Sequence, residues 1–271
     1  MGRLIVLYNW LFNSRNNISL KDLIHFLLRN PAKKRAFQYI RAIKKTDAYY
    51  EISFNNINEI LFCPIEMSLN SIYQVVCETF EVRDWHYYQK PMTKLKKKER
   101  VLDVGAAEGL FALSVVNDCE KLILIEPNNL FSSSLKRTFE GNLEKVEVIN
   151  VAVGNKEGTI SFLQESLNSR ISSIEDKGSA VRLAKIDNLL PNERITFLKA
   201  DVEGHELEML KGAEQTIKRN KPKIAITSYH VENIAAEIIE LIKRFVPEYK
   251  YYFVGIGPVE GKPVMIHFWI E

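Results

Sequence analysis

From about residue 99 onward, short apolar runs alternate with stretches of helical period. Val101, Leu102 and Val104 form a run suited to a buried parallel strand, closed by Gly105 and Gly109 at the start of a helix. Residues 121–126 read as a second strand, and Leu130, Phe131, Leu135 and Phe139 as the apolar face of a helix that Gly141 can end. Residues 146–153 predict a third strand. A turn over 154–158 then lets 159–163 return as its antiparallel partner, with a further short strand over 181–186. Residues 195–201 predict a fourth core strand. Leu207, Leu210, Ala213 and Ile217 follow at spacings of three and four, as one helix buries them. Residues 223–228, a helix over 232–245, and a hairpin over 251–254 and 264–269 complete the pattern. The expectation is an α/β fold with a doubly wound sheet over 99–271, offering ligands a crevice at the carboxyl ends of its strands.

The first 98 residues read differently. Residues 1 to about 47 predict helices, with Ser19 capping a helix that carries Leu20, Leu23, Ile24, Leu27 and Leu28. Residues 49–54 and 60–63 predict a hairpin, 71–80 an amphipathic helix, and Trp85-His86-Tyr87-Tyr88 an aromatic cluster that packs the domain edge or lines a pocket. The expected division is therefore an N-terminal helical segment with a hairpin at 1–98, serving as a lid or a substrate or membrane contact, and an α/β domain at 99–271.

Composition narrows this picture. The 271 residues, 46% hydrophobic, suit one α/β domain with an added segment. A net charge of +3 gives no footprint for nucleic acid. Cys63, Cys77 and Cys119 lack metal-ligand spacing and read as buried thiols of a reducing, cytoplasmic compartment. No apolar run reaches the roughly 18 residues needed to span a bilayer. The apolar stretch 4–12, flanked by Arg3 and Arg15, is expected to pack on the domain; peripheral contact with a membrane is the alternative. Lys33, Lys34, Arg35, Arg41, Lys44 and Lys45 make a solvated basic face, or a site for acidic lipid or polyanionic glycan. Nothing in the sequence reads out an oligomeric state.

The glycine turn carries the chemistry. Its spacing, Asp103-x-Gly105-x-x-x-Gly109, departs from the Gly-x-Gly-x-x-Gly of dinucleotide folds, with Ala107 at the second glycine position and Glu108 in the loop. A carboxylate there is a poor neighbour for pyrophosphate. Asp103 at a strand end instead suits a cationic ligand such as S-adenosylmethionine. Glu126, at the tip of the second strand, is placed to accept hydrogen bonds from both ribose hydroxyls. Asp201, Glu203 and His230 also fall at or just past strand ends. Glu203 and His230 are the candidate general bases for an acceptor hydroxyl. No ligand set has metal spacing, so no metal is expected, and no Asn- or Asp-Pro-Pro-aromatic block of a nucleobase methylase follows the fourth strand.

Asp103-x-Gly105-x-x-x-Gly109, Ile125-Glu126-Pro127, Val151-Ala152-Val153-Gly154, Asp201-Val202-Glu203-Gly204-x-Glu206, Leu210-Lys211-Gly212-Ala213 and Tyr229-His230 together resemble the FkbM family of S-adenosylmethionine-dependent methyltransferases. The resemblance covers roughly residues 72–271. It implies a class I methyltransferase sheet with an antiparallel last strand, and O-methylation of a sugar, glycan or other small hydroxylated molecule. Carried over, Asp103, Gly105 and Gly109, with Ala106 of the same turn, would hold the methionine part and Glu126 the ribose. Ala152 would pass near the adenine, and Asp201 near the sulphonium and the acceptor. The contrasting expectation is a protein that kept the fold for binding and lost turnover. Residues 164–180, polar and rich in serine, read as a mobile loop beside the site.

Overall fold

The chain is seen in a computed structural model that describes residues 2–162, 171–172, 179–230, 234–257 and 260–271. It opens with helices α1 (Arg3–Phe12), α2 (Leu20–Leu28) and α3 (Ala32–Ala36). A three-stranded antiparallel sheet follows, β1 (Ile40–Lys45), β2 (Tyr49–Phe54) and β3 (Leu61–Pro64), and then α4 (Leu69–Phe80). The main unit runs β4 (Glu99–Val104), α5 (Leu110–Val115), β5 (Cys119–Ile125), α6 (Asn129–Thr138) and β6 (Val146–Ile149). An excursion comprises β7 (Ala152–Val153), β8 (Gly158–Phe162), β9 (Ile171–Ser172) and β10 (Ser179–Ala184), followed by α7 (Ile186–Leu189). The chain closes with β11 (Phe197–Ala200), α8 (Glu206–Lys211), α9 (Glu214–Asn220), β12 (Lys223–Thr227), α10 (Ile234–Phe245), β13 (Lys250–Val254) and β14 (Met265–Trp269).

The central sheet has the order β13-β14-β12-β11-β4-β5-β6. Its strands are parallel except for β14, which pairs antiparallel with both β12 and β13. The doubly wound α/β sheet with a closing antiparallel hairpin, expected from the sequence, is what the chain forms. Successive strand residues point to opposite faces, and each face has its own cover. Val101, Leu122, Leu124 and Phe197 pack with α5, α6 and the N-terminal segment. Leu102, Ile123, Leu198 and Ile226 pack with α8, α9 and α10. One continuous core joins Val6, Leu23, Ile52 and Ile72 of the first 98 residues to Leu110 and Leu135 of the main unit.

Four local expectations are corrected. Residues 40–45 form strand β1 rather than continuing a helix. Their lysines and arginine are compatible with either state, and pairing of Ile43 opposite Ile52 on β2 decides it. The expected third strand over 146–153 ends at Ile149. There the Asn150 side chain donates to the carbonyls of Glu126 and Pro127, and Ala152–Val153 passes to a second sheet. In that sheet β8 pairs antiparallel with β10, which lies between β8 and β7, rather than with the strand over 146–149. The single helix expected after β11 is two, α8 and α9, interrupted around Gly212, where a Cβ would sit 1.9 Å from the Gly154 carbonyl oxygen. Most of the expected loop 164–180 lies outside the described residues; within it β9 pairs with β8.

Candidate active site

A cavity of about 340 Å³ opens at the carboxyl ends of β4, β5 and β11. The connections turn to opposite sides of β4 here, the switch point at which open α/β sheets take ligands. α4 forms one wall through Gln74, Val75 and Glu78, and Tyr229 closes the end beyond β12.

The floor is the glycine turn after β4. Gly105 (φ 73°), Ala107 (φ 47°) and Gly109 (φ 83°) all lie in the left-handed region. At Gly105 a Cβ would meet the Asp201 carbonyl oxygen at 1.8 Å, and at Gly109 it would meet Leu135 Cδ2 at 2.4 Å. Gly105 is thus demanded by the approach of the β11 backbone, and Gly109 by its left-handed conformation. Gly105 and Ala106 line the cavity; Gly109 does not. Ala107 takes the strained conformation without glycine's freedom, and the Glu126 carboxylate accepts its N–H at 2.9 Å.

Asp103 does not line the cavity either. It is fully buried below the turn, its Oδ1 2.9 Å from Lys199 Nζ, and the same ammonium donates to the Gly105 carbonyl. Burial pushes the Asp103 carboxyl up and would push the Lys199 ammonium down, while the charge on Asp103 holds Lys199 above its ordinary range. The expected direct contact of Asp103 with a cationic ligand is replaced by an internal ion pair, because the neighbouring strand supplies its own cation.

Glu126 lies where the sequence places it, on the cavity wall. Its Oε2 accepts from Ala107 N–H and its Oε1 from Asn128 N–H at 2.8 Å. A carboxylate offers about four lone-pair sites, so two remain for a ligand. Burial pushes this carboxyl up to about 7 against those two bonds. Ala152 lies on the same wall between Val151 and Val153.

The opposite end is polar. Asp201 accepts from the Tyr88 hydroxyl (3.0 Å) and the Thr227 hydroxyl (3.2 Å). Burial would raise its carboxyl, but His230, Lys199, His86 and the Tyr88 hydroxyl hold it below the usual range. Glu203, at φ 52°, lines the cavity with its side chain 43% exposed. His230 does not line it; its side chain is 7% exposed. The His230 Nδ1 is 2.8 Å from Glu206 Oε1, which leaves Nε2 facing Glu203 at 3.5 Å and Asp201 at 3.7 Å. Burial would lower the imidazole, but the hydrogen bond to Glu206 and the charge on Asp201 raise it. Asp201, Glu206 and His230 place ligand-type atoms within 4.8 Å of one another. The imidazole here is hydrogen-bonded to Glu206 through Nδ1 and faces Asp201 through Nε2.

Sequence reading assigned no role to Lys199, Glu206 or Glu78. A lysine inside the apolar strand Phe197-Leu198-Lys199-Ala200 was the available signal for the first, since buried strands exclude unpaired charge. Glu206, fully buried, closes the motif around Glu203 and holds His230, Thr227 and the Gly204 N–H. Glu78 sits on α4 near His86 (3.5 Å), which it helps to raise to about 9 although burial would lower it. No local pattern marked that pair.

A family model described as the methyltransferase FkbM domain matches residues 103–252. Among solved structures, the methyltransferase FkbM from Methylobacillus flagellatus KT is similar at 20% identity and a TM-score of 0.53, over 75% of this chain and 56% of that one. This chain thus spans little more than half of that protein's length, and the likeness is one of fold. The methyltransferase domain of METTL16 is similar at 15% identity and a TM-score of 0.46, over 94% and 95% of the two chains. The precorrin 8w decarboxylase from Methanobacterium thermoautotrophicum is similar at 13% and 0.42, over 76% and 92%. Comparison with curated proteins finds no match.

Proposed function

The chain belongs to the methyltransferase FkbM domain family, and from that premise we propose that it transfers the methyl group of S-adenosylmethionine to a hydroxyl of a sugar, glycan or other small metabolite. The observation that carries this reading is the character of the cavity wall. Five carboxyl groups, Glu78, Glu108, Glu126, Asp201 and Glu203, face the same 340 Å³ space, against two cationic groups there, Lys199 and His86. Such a wall suits a sulphonium cation and ribose diols and repels a pyrophosphate. Ile125, Val151 and Ala152 offer apolar surface for a purine, and Ser71, Gln74, Tyr229 and His86 offer hydroxyl-binding groups in the same cavity.

The residues present fit that cofactor, whose sulphonium carries an electrophilic methyl group. Glu126 would accept the ribose hydroxyls through its remaining lone pairs. Gly105 and Ala106 would pass backbone beside the methionine part, with Lys199 fixing the Gly105 carbonyl. Asp201 would stabilise positive charge next to the acceptor, its carboxylate kept ionised by its neighbours. Glu203, the candidate base that a substrate can reach, would take the hydroxyl proton as the oxygen attacks. His230 is held from behind by Glu206, and its raised pKa favours the protonated form. It would steady Glu203 and Asp201 as a donor rather than accept a proton itself. Much of the rate would come from alignment and exclusion of water.

The test is methyl uptake from labelled cofactor into a panel of sugar nucleotides and glycan fragments. On a competent acceptor, Glu203→Gln is expected to lower turnover about 10²–10⁴-fold with cofactor affinity nearly unchanged. A rate that rises with pH above the ordinary histidine range, where the raised imidazole loses its proton, and that His230→Asn abolishes and Glu203→Gln retains would transfer the base to His230. Cofactor binding with no transfer to any hydroxyl would leave a binding protein and sink the proposal.

A further inference from the structure

Helix α1 breaks the rule that a surface helix is apolar on one side only. Val6 and Asn9 face the core, yet the opposite side carries Leu4 (80% exposed), Ile5, Tyr8, Leu11 and Phe12 (70%). These fall at i, i+1, i+4, i+7 and i+8, a single face. On α2, Leu20, Ile24 and Leu28 are likewise exposed, one per turn. Arg3 at the start of α1 donates to the Arg29 carbonyl just past α2, and Trp10 Nε1 donates to the Ile18 carbonyl. The two helices therefore form an antiparallel hairpin. Of the fifteen large apolar side chains exposed among the described residues, eight lie on it.

Charge is gathered in the same segment. Residues 1–45 contain ten lysines and arginines and one acid, Asp22, for a net +9. The whole chain is +3, so the remainder is −6. Arg3, Arg15, Lys21, Lys33 and Lys34 are all exposed. No helix among the described residues is long and apolar enough to cross a membrane. Ten residues of α1 span about 15 Å, half of a hydrocarbon core of about 30 Å.

We propose that the α1–α2 hairpin is a docking surface for an anionic lipid membrane. α1 lies in the plane of the interface with Leu4, Tyr8, Leu11 and Phe12 sunk at the boundary of headgroups and acyl chains, and the basic residues of the segment meet the headgroups. Charge selects this occupant over a second copy of the chain. An isologous contact would bring two +9 segments together, whereas an anionic bilayer offers apolar depth and negative charge at once. This goes beyond the methyl-transfer reading, and its measurement needs neither cofactor nor acceptor.

The test is co-sedimentation of the full chain with phosphatidylcholine vesicles, with and without phosphatidylglycerol. The chain is expected to pellet with the anionic vesicles, less so as salt rises, and to stay in solution with phosphatidylcholine alone. The triple substitution Leu4→Ser, Leu11→Ser and Phe12→Ser, at exposed positions that leave the core intact, is expected to lower the partition coefficient at least about 100-fold with the thermal transition retained. Lys33→Glu with Lys34→Glu is expected to lower it about tenfold or more. The idea is overturned if the wild-type chain ignores anionic vesicles at low salt, or if the triple variant pellets as wild type does. Dimerisation through this face without vesicle binding would overturn it in favour of a second copy. Binding to a soluble polyanion but to no vesicle would overturn it in favour of a glycan.

Discussion

Replacing Glu126 tests most directly the end of the cavity proposed to hold the cofactor. In the folded chain its carboxylate braces the turn through Ala107 and Asn128 and keeps two acceptor sites toward the cavity. Hydrogen bonds to a charged group contribute about 1.5–3 kcal/mol where the partner is buried. Part of that is offset by desolvating the ribose, so Glu126→Ala is expected to cost about 1–3 kcal/mol of S-adenosylmethionine affinity, or about 5–150-fold in Kd. pH sharpens the expectation. Burial raises the carboxyl to about 7, so its ionised fraction climbs from about a tenth at pH 6 to about nine tenths at pH 8. If only the carboxylate accepts both hydroxyls, affinity rises about tenfold over that interval. Glu108, also raised to about 7 by burial, titrates in the same window. The isosteric Glu126→Gln, neutral throughout, separates the two because it should remove the Glu126 share of the slope. In the free protein the sign is opposite. A carboxyl raised in the folded state holds a proton that the unfolded chain has released. Its contribution to stability is therefore full below about 4.5 and is lost as pH rises through about 7. Calorimetric titration at the two pH values, on wild type and both variants, reads all of this. Equal wild-type affinity at pH 6 and 8 together with an unchanged Kd in Glu126→Ala would refute the reasoning.

Two further expectations follow from packing. Lys199→Ala strands the Asp103 carboxylate in the interior and is expected to destabilise the fold by about 3–5 kcal/mol, whereas Lys199→Met with Asp103→Leu should recover most of that in a chemical denaturation series; equal loss in single and double variants would show that the ion pair is not the cause. Gly105→Ala puts a Cβ 1.8 Å from the Asp201 carbonyl at φ 73°, so it should weaken both stability and cofactor binding by moving β11 away from the turn, and a variant with wild-type melting temperature and Kd would contradict that geometry.

The sequence by itself determined the elements that local pattern controls. The main strands are apolar runs closed by turn residues, and the glycine turn, Glu126, Asp201 and Glu203 can be placed on one edge because strand ends in a doubly wound sheet converge there, while Ala152 enters only through the family resemblance. What it left undecided depends on partners far along the chain. Residues 40–45 became a strand only because β2 offers an edge nine residues on, as Ile43 opposite Ile52 shows, a pairing that helix-compatible lysines do not announce. The path after Ile149 is set by Asn150 reaching back to Glu126, and the break at Gly212 by the approach of Gly154. The site shows the same division. A strand-end Asp103 looks free in sequence, yet tertiary structure pairs it with Lys199 from the adjoining strand and removes it from the cavity surface. His230 looks like an available base, yet Glu206 holds its Nδ1 and two more acids surround Nε2. Side-chain type and period are written locally and survive as fold class and strand ends. Charge state and access are sums over neighbours that only the packed chain brings together.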